Sequence, residues 1–267
     1  MKIALCQMDI AWMDFAPNIA KIRHFITEAE AGGADIVIFP EMALSGFCMD
    51  AKTASVTLDG PELAEIIGET RGRRPVVMCG AAIRSGSEYS NSALVVRDGE
   101  LLYRYSKINL FTISDEDRNY VPGTRLVLLE HSGGTVAPIV CFDLRFPQLF
   151  SAAAGKGADV FVVMANWPAA QRNQWRTLLS ARAVDAQAFV IGVNRVGSGD
   201  GIDYDGGSNV FTPGGKPLLE AADFECIMFV EIHPGQARSL RKKYPVLHMQ
   251  HQEERSYAFD RVRISPL

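Results

Sequence analysis

Three residues with reactive side chains, Glu41, Lys107 and Cys141, each follow a short run of residues that is typical of a β-strand. Ligands of open α/β sheets collect at the carboxyl ends of the strands, so we expect these side chains to lie close together. A carboxylate can take the proton of a neighbouring thiol and later deliver it to a leaving group. An ammonium group can stabilise the thiolate and the oxyanion of a tetrahedral intermediate. The three residues therefore predict nucleophilic chemistry at a cysteine.

Cys141 stands between a strand predicted over 135–140 and a helix predicted over 143–155, which would open with Asp143 and stop at Gly155. Backbone N–H groups at the start of a helix are unpaired and carry partial positive charge. Such a position lowers the pKa of a thiol and offers donors to a developing oxyanion. The competing interpretation is a buried structural cysteine, which is the commoner role of a lone Cys.

The partners of the thiol also have plainer interpretations. Glu41 is alternatively an exposed loop carboxylate, and Lys107 is alternatively a solvated charge at the end of a hairpin. A histidine is the other base that could serve a cysteine. No histidine closes a predicted strand; the five are His24, His131, His233, His248 and His251. The HxH, HExxH and clustered-cysteine patterns are absent from the sequence, which therefore predicts no metal site.

The composition is that of a globular protein with a large core. The chain has 267 residues, of which 48% are hydrophobic and 22% charged, and its formal net charge is −4. Without a basic stripe, nucleic acid and anionic membranes are poor partners. The N-terminus runs straight into a strand, with neither a signal peptide nor an apolar run long enough to span a bilayer. Five widely spaced cysteines without a CxxC pair predict neither zinc nor disulfides, and favour a cytoplasmic protein.

The elements that must position the reactive residues recur in the same order twice, β-α-β-α-β-β-β. In the first half, strands are predicted over 2–8, 34–39, 75–82, 91–96 and 100–105, with helices over 18–31 and 60–72. In the second half, strands are predicted over 135–140, 159–164, 189–193, 208–211 and 216–219, helices over 143–155 and 173–186, and a last strand over 226–232. Asp98-Gly99 is the strongest turn signal, typical of a two-residue hairpin loop.

This repeated order predicts an α/β fold made of two pseudo-symmetric half domains. Alternating helices and strands imply mainly parallel strands with crossover helices. Two such sheets that face each other, with the helices outside, form a four-layer α-β-β-α sandwich. Because no linker separates the halves, we expect one domain over 1–267. Residues 234–267 form a C-terminal arm rich in basic residues, either solvated or packed across a partner subunit.

Three segments resemble the signature segments of the nitrilase superfamily of carbon–nitrogen hydrolases: residues 39–41, 105–111 and 140–147. Their order and spacing match across nearly the whole chain. The resemblance implies the same four-layer fold and a Glu-Lys-Cys triad. Glu41 would then be the general base and acid, Lys107 the oxyanion stabiliser and Cys141 the nucleophile. It also implies that no cofactor is needed and that the protein is at least a homodimer.

The resemblance implies two supporting groups as well. The backbone N–H of Phe142 would complete the oxyanion hole. Many members use a second glutamate between the Lys and the Cys, and Glu116 is the candidate for orienting the substrate amide or supporting Lys107. The alternative is that Glu116 belongs to a solvated acidic loop.

Within the superfamily, residues 42–48, 165–169 and 181–183 are similar to the omega-amidase branch. Bacterial members of this branch cleave the terminal amide of 2-oxoglutaramate or 2-oxosuccinamate to the dicarboxylate and ammonia. One departure is the stretch Asp185-Ala186-Gln187, where the family pattern more often has Asn before Gln. The alternative functions are a nitrilase, an N-carbamoyl amino-acid hydrolase or an amidase of deaminated glutathione. A non-catalytic binding protein on the same fold is a further alternative.

A small substrate with a free carboxylate needs a cation in its pocket, because a guanidinium can hold a carboxylate through two hydrogen bonds. The candidates for this role are Arg145, Arg172 and Arg195. Arg145 is alternatively a buried structural ion-pair partner. Phe47 and Trp167 are candidates for the pocket walls, with Trp167 alternatively a core aromatic, and Asn166 is a candidate hydrogen-bonding group.

Overall fold

The helices and strands follow the predicted order with several additions. The computed structural model describes residues 1–248 and 257–265. Its strands are β1 Lys2–Gln7, β2 Ile36–Ile38, β3 Ser55–Val56, β4 Val76–Ser85, β5 Glu88–Arg97, β6 Glu100–Ser106, β7 Arg125–His131, β8 Gly134–Val140, β9 Val160–Ala165, β10 Phe189–Asn194, β11 Val196–Gly199, β12 Ile202–Asp205, β13 Asn209–Phe211, β14 Pro217–Glu220, β15 Cys226–Glu231 and β16 Ala258–Arg263. Its α-helices are α1 Phe15–Ala31, α2 Ala51–Ala54, α3 Pro61–Glu69, α4 Glu116–Asn119, α5 Pro147–Gly155, α6 Arg172–Ala186 and α7 Gly235–Lys243. Across the described residues, none of these helices combines the length and apolar character needed to cross a membrane.

Two seven-stranded sheets repeat one topology. The first has the order β15-β1-β2-β4-β5-β6, with β3 beside β4, and the second has the order β14-β13-β10-β9-β8-β7-β16. Strands β1, β2, β4, β5 and β6 occupy the same relative places as β8, β9, β10, β13 and β14. The neighbours β15 and β7 also correspond, because each runs antiparallel to the first strand of its half. The predicted pseudo-symmetric halves are confirmed.

Side-chain alternation along β1 shows how the layers are held together. Ile3 and Leu5 belong to the core between the two sheets, whereas Ala4 and Cys6 belong to a second core under α1. This is the period of two that a strand buried on both faces requires. The second sheet is covered in the same way by Leu149 of α5 and other apolar residues of α5 and α6. The predicted four-layer α-β-β-α sandwich is confirmed.

The described parts of the C-terminal tail fold onto the second sheet of the same chain. Helix α7 is anchored by Arg238 and Arg241, which both pair with the buried carboxylate of Asp159. Strand β16 then runs parallel to β7 along the sheet edge. These contacts differ from the predicted solvated arm, because burying the apolar edge of the sheet stabilises the tail. Residues 249–256 and 266–267 of the predicted arm lie outside the described residues.

Candidate active site

Glu41, Lys107 and Cys141 meet at one edge of the sandwich, where β2, β6 and β8 end. Lys107 Nζ lies 3.1 Å from Glu41 Oε1, and both side chains are fully buried. The Cys141 thiol lies close enough to both groups for their charges to shift its pKa. The sequence-based expectation that strand ends bring a carboxylate, an ammonium and a thiol together therefore matches the geometry.

The Glu41 carboxylate is held by donors on both of its oxygens. Asn91 Nδ2 donates to Oε1 at 2.7 Å, and the backbone N–H of Asn166 donates to Oε2 at 2.9 Å. Gly80 of β4 lets this segment approach the sheet, since a Cβ there would lie 2.4 Å from the carbonyl oxygen of Pro40. Asn166 also donates from Nδ2 to the Glu41 carbonyl oxygen, while its Oδ1 has no partner among the described residues. The carboxylate is thereby held in place rather than free to rotate.

Lys107 lies between two buried carboxylates. Its Nζ is also 2.8 Å from Glu116 Oε2. Burial by itself favours the neutral amine, but the charges of Glu41 and Glu116, with a smaller contribution from Cys141, raise the pKa of Lys107 above its ordinary value. Lys107 is therefore a fixed positive charge at neutral pH, as an oxyanion stabiliser requires.

Glu116 is buried, whereas its neighbours Asp115 and Asp117 are exposed. It begins α4, and its Oε2 also accepts a hydrogen bond at 2.6 Å from the backbone N–H of Phe111. This placement rules out the solvated-loop interpretation for Glu116. The carboxylate holds Lys107 and fixes the loop that follows it.

Lys107→Met is expected to destabilise the fold by about 3–5 kcal/mol, because it leaves the Glu41 and Glu116 charges buried together without a cation. Urea unfolding followed by circular dichroism measures this loss. Lys52→Met, which changes an exposed lysine, is the matched control. Equal unfolding midpoints for the two variants would show that Lys107 does not neutralise the buried carboxylates.

Two residues to which the sequence analysis gave no role in the site join the reactive groups. Asn91 donates from one Nδ2 to both carboxylates, at 2.7 Å to Glu41 and 2.8 Å to Glu116. Asp143 accepts from Tyr105 Oη at 2.7 Å and from the backbone N–H of Asn109 at 2.7 Å. It thereby ties the turn after the nucleophile to the loop after Lys107. Two features of the sequence could have revealed these residues. Asn91 is a polar residue in a predicted strand, and Asp143 is an acid close to the thiol.

The surroundings of Cys141 correct two expectations. The predicted helix over 143–155 begins only at Pro147, and residues Cys141–Arg145 form a 3₁₀ turn. Cys141 itself has φ +44°, a left-handed conformation that is uncommon for residues other than glycine. Burial raises the pKa of the thiol well above its ordinary value, Glu41 raises it further, and Lys107 offsets this only in part. The predicted lowering of the thiol pKa is therefore wrong, because the protein around the sulphur outweighs the short turn.

Aromatic side chains surround the reactive groups. The ring of Phe47 lies 5.2 Å from Lys107 Nζ. Phe142, the residue after the nucleophile, packs against Phe111 with 5.0 Å between ring centroids. Trp167 is 3% exposed, packs against Trp175 and donates from Nε1 to the carbonyl oxygen of Gln171. Phe47 therefore lies where a wall of the pocket is expected. Trp167 follows β9, as predicted, and is at the same time packed like a core aromatic residue.

The three candidate arginines have different surroundings. Arg145 is exposed, stacks over Trp167 at 5.0 Å and bonds Gln171, with no acidic partner in the described parts of the chain. The alternative of a buried ion-pair partner is therefore wrong for Arg145. Arg172 pairs with Asp205 at 3.0 Å. Arg195 is fully buried and donates to three backbone carbonyl oxygens, those of Ile10, Val196 and Ser198.

A histidine base for Cys141 is disfavoured by topology, although one expectation was wrong in detail. His131 does close a strand, β7, which the sequence analysis missed. Because β7 and β8 are antiparallel and His131 pairs with Gly134, this histidine lies at the opposite end of β8 from Cys141. His251 lies outside the described residues.

The comparisons with known proteins agree with this geometry. The chain matches the carbon–nitrogen hydrolase family model over residues 2–242. It is 34% identical to Omega-amidase YafV of Escherichia coli strain K12, over 92% of this chain and 94% of that protein. It is 29% identical to 2-oxoglutaramate amidase of Bacillus subtilis strain 168, over 91% of this chain and 95% of that protein.

A solved structure gives the same result at the level of the fold. XC1258 from Xanthomonas campestris, a CN-hydrolase superfamily protein with an arsenic adduct in its active site, superposes with a TM-score of 0.88. The identity is 29%, and the superposition covers 96% of this chain and 99% of that chain. Sequence, strand order and the extent of the match together establish that this protein is a hydrolase of the carbon–nitrogen hydrolase family.

Proposed function

We propose that the protein is an omega-amidase, which hydrolyses the terminal amide of small 2-oxo dicarboxylic acid monoamides such as 2-oxoglutaramate and 2-oxosuccinamate. The observation that carries this proposal is the Glu41–Lys107–Cys141 cluster, with the guanidinium of Arg145, which has no acidic partner among the described residues, in the turn that holds the thiol. The omega-amidase and 2-oxoglutaramate amidase relatives support the choice of substrate.

In the first half of the reaction, Glu41 takes the proton of the Cys141 thiol as the sulphur bonds to the amide carbon. The carbonyl oxygen becomes an oxyanion, held by the Lys107 ammonium and the backbone N–H of Phe142. The C–N bond then breaks, and protonated Glu41 gives its proton to the departing nitrogen, which leaves as ammonia. The product of this half is a thioester on Cys141.

In the second half, Glu41 takes a proton from water as the water oxygen attacks the thioester carbon. The same two donors hold the second oxyanion. The C–S bond breaks, the thiolate regains a proton from Glu41, and the dicarboxylic acid leaves. Because the thiol is neutral in the resting enzyme, proton transfer to Glu41 must accompany the attack, and the hydrogen bonds from Asn91 and Asn166 keep the carboxylate in place for it.

Arg145 is the proposed site for the free carboxylate of the substrate. It stacks on both Phe142 and Trp167, so its guanidinium lies beside the residue that follows the nucleophile. Arg172 already pairs with Asp205, and Arg195 has no exposed surface. Of the three arginines, Arg145 therefore loses the fewest existing interactions when it binds an anion.

Arg145→Gln is expected to raise the KM for 2-oxoglutaramate by about 10- to 100-fold, since a hydrogen bond to a charged group contributes about 1.5–3 kcal/mol. Hydrolysis of pentanamide, which has the same length and no carboxylate, should change little. Arg176→Gln on the outer face of α6 is the matched control. A parallel loss on both substrates would remove Arg145 from carboxylate binding.

Ammonia release from 2-oxoglutaramate, beside simple nitriles and N-carbamoyl-β-alanine, tests the proposed activity. Fast release from the oxo-amide alone supports the omega-amidase. Turnover of a nitrile or of the carbamoyl compound in its place would keep the triad and overturn the substrate. No turnover of any of these substrates would favour a binding protein that retains the fold.

We also propose a cytoplasmic protein that is at least a homodimer. All five cysteines are unpaired, as a reducing compartment favours. Val184 of α6 and Tyr244 are about half exposed and lie on neighbouring segments, because Gln187 donates to the Tyr244 carbonyl oxygen. Apolar side chains left on the outer helix layer support burial against a second copy. Sedimentation velocity gives the oligomeric state, and a monomer at micromolar concentration would overturn it.

A further inference from the structure

Tyr204 on β12 is a buried residue whose hydroxyl group has no protein partner. The residue is 5% exposed, and its hydroxyl makes no hydrogen bond within 1–248 or 257–265. The Tyr204 oxygen is not among the fully buried polar atoms that lack a partner, so the hydroxyl keeps some accessible surface and is open to a ligand. Three other tyrosine hydroxyls each donate to a protein oxygen: those of Tyr103, Tyr105 and Tyr120.

The ring of Tyr204 is held in place by Arg195. The guanidinium carbon of Arg195 lies 4.5 Å from the ring centroid. Arg195 is itself fixed, because its Nη2 donates to the carbonyl oxygens of Ile10 at 2.8 Å and Ser198 at 3.0 Å. Tyr204 is therefore a rigid group backed by a positive charge, as a pre-organised binding residue should be.

Tyr204 is linked to two parts of the site. Arg195, which stacks on its ring, lies against Gly46, the neighbour of the wall residue Phe47. Strand β12 packs beside the turn Ala169–Gln171, and Gln171 accepts a hydrogen bond from Arg145. Asn194 joins the two segments, since its Nδ2 donates to the carbonyl oxygens of Trp167 and Gly206. Burial raises the pKa of Tyr204, the Arg195 guanidinium offsets this in part, and the Glu41 carboxylate adds to the rise. The hydroxyl therefore keeps its proton at neutral pH and can donate a hydrogen bond.

We propose that the Tyr204 hydroxyl donates a hydrogen bond to the anionic 2-oxo acid end of the substrate, and that Tyr204 is a specificity-determining residue. This assignment rests on the proposed function. The hydroxyl supplies a donor and no charge, while Arg145 supplies the charge. An uncharged amide leaves the hydroxyl unpaired on binding, which disfavours it relative to the 2-oxo acid monoamide.

The test compares Tyr204→Phe with the wild type on 2-oxoglutaramate, N-carbamoyl-β-alanine and pentanamide. Phenylalanine keeps the ring on Arg195 and removes only the hydroxyl. We expect kcat/KM for 2-oxoglutaramate to fall by about tenfold or more, mainly through KM, and kcat/KM for pentanamide to change less than about threefold. Tyr103→Phe, which removes a hydroxyl that binds Asp260 in the tail, is the matched control and should leave both substrates unchanged.

The outcomes separate this inference from the proposed function. Equal losses of Tyr204→Phe on charged and neutral substrates would overturn the specificity role and leave the omega-amidase in place. Wild-type turnover of N-carbamoyl-β-alanine without 2-oxoglutaramate would overturn the function, and Tyr204 would then be judged by the loss on that carboxylate substrate. Wild-type turnover of pentanamide alone, or of none of the three, would overturn both.

Discussion

Replacing Cys141 by alanine is expected to lower the turnover of 2-oxoglutaramate by about 10⁴-fold or more, because the acyl group then has no sulphur to bond to. The fold should survive. Alanine keeps the Cβ that cysteine already carries at φ +44°, so the substitution adds no backbone strain. Only the sulphur, a small part of the site, is lost. Ammonia release and thermal unfolding of the same preparation measure the two effects.

Cys226→Ala is the matched control for this variant, because Cys226 lies on β15 and is also only partly exposed. It should retain wild-type turnover. Thiol labelling gives a second readout that does not depend on the substrate. Iodoacetamide should modify Cys141 faster than Cys79, because Cys141 is partly exposed and has Glu41 beside it as a base, whereas Cys79 is buried. Residual turnover in a pure Cys141→Ala preparation would remove Cys141 from the role of nucleophile, and labelling no faster than that of Cys79 would favour a binding protein.

The reactive groups could be located from sequence because each depends on local pattern. A short apolar run followed by a polar residue marks a strand end, and three such ends placed Glu41, Lys107 and Cys141 on one edge of the sandwich. The hairpin at Asp98-Gly99 was equally local, and both residues adopt the positive φ that the turn signal predicts. Strand β16 was missed because charged residues alternate along it. Strand β7 was missed although residues 126–129 are continuously apolar.

The contacts that orient these groups could not be located in the same way. Asn91 bonds Glu41 across 50 positions of sequence, and Asp143 bonds Tyr105 across 38. Neither spacing carries a periodic signal, since the first contact joins two non-adjacent strands of one sheet and the second joins one sheet to the other. A single sequence therefore shows which groups could react and leaves open what holds them.

The direction in which the pKa of Cys141 shifts is the clearest case of tertiary structure overriding a local expectation. A helix start favours a thiolate through partial charges confined to the first turn. Burial of the sulphur beside a carboxylate disfavours the thiolate by a larger amount. Pro147 was a readable sign that the helix begins later, because proline is favoured at the first helical position. With the helix displaced and Glu41 adjacent, the resting thiol is neutral, and a base becomes indispensable.

Glu41→Gln tests that conclusion because its two expected effects have opposite sign. Turnover should fall by about 10²- to 10⁴-fold, the usual contribution of a general base. The pKa of Cys141 should fall at the same time, since the glutamine side chain carries no charge and Lys107 stays beside the sulphur. The absorbance of the thiolate at about 240 nm, followed against pH, should therefore rise at lower pH in the variant than in the wild type. Glu65→Gln on the exposed face of α3 should change neither quantity.

Turnover and the thiol pKa, measured together, discriminate between two roles for Glu41. If Glu41 served to create a resting thiolate, its removal would raise the pKa of the thiol as turnover fell, and the absorbance curve would move to higher pH. If Glu41 takes the proton only during the attack, the variant forms a thiolate more easily yet turns over slowly, because no group protonates the departing nitrogen. A shift of the curve to higher pH would overturn the mechanism proposed for this site. A shift to lower pH with full activity would show that Lys107 alone suffices to activate Cys141.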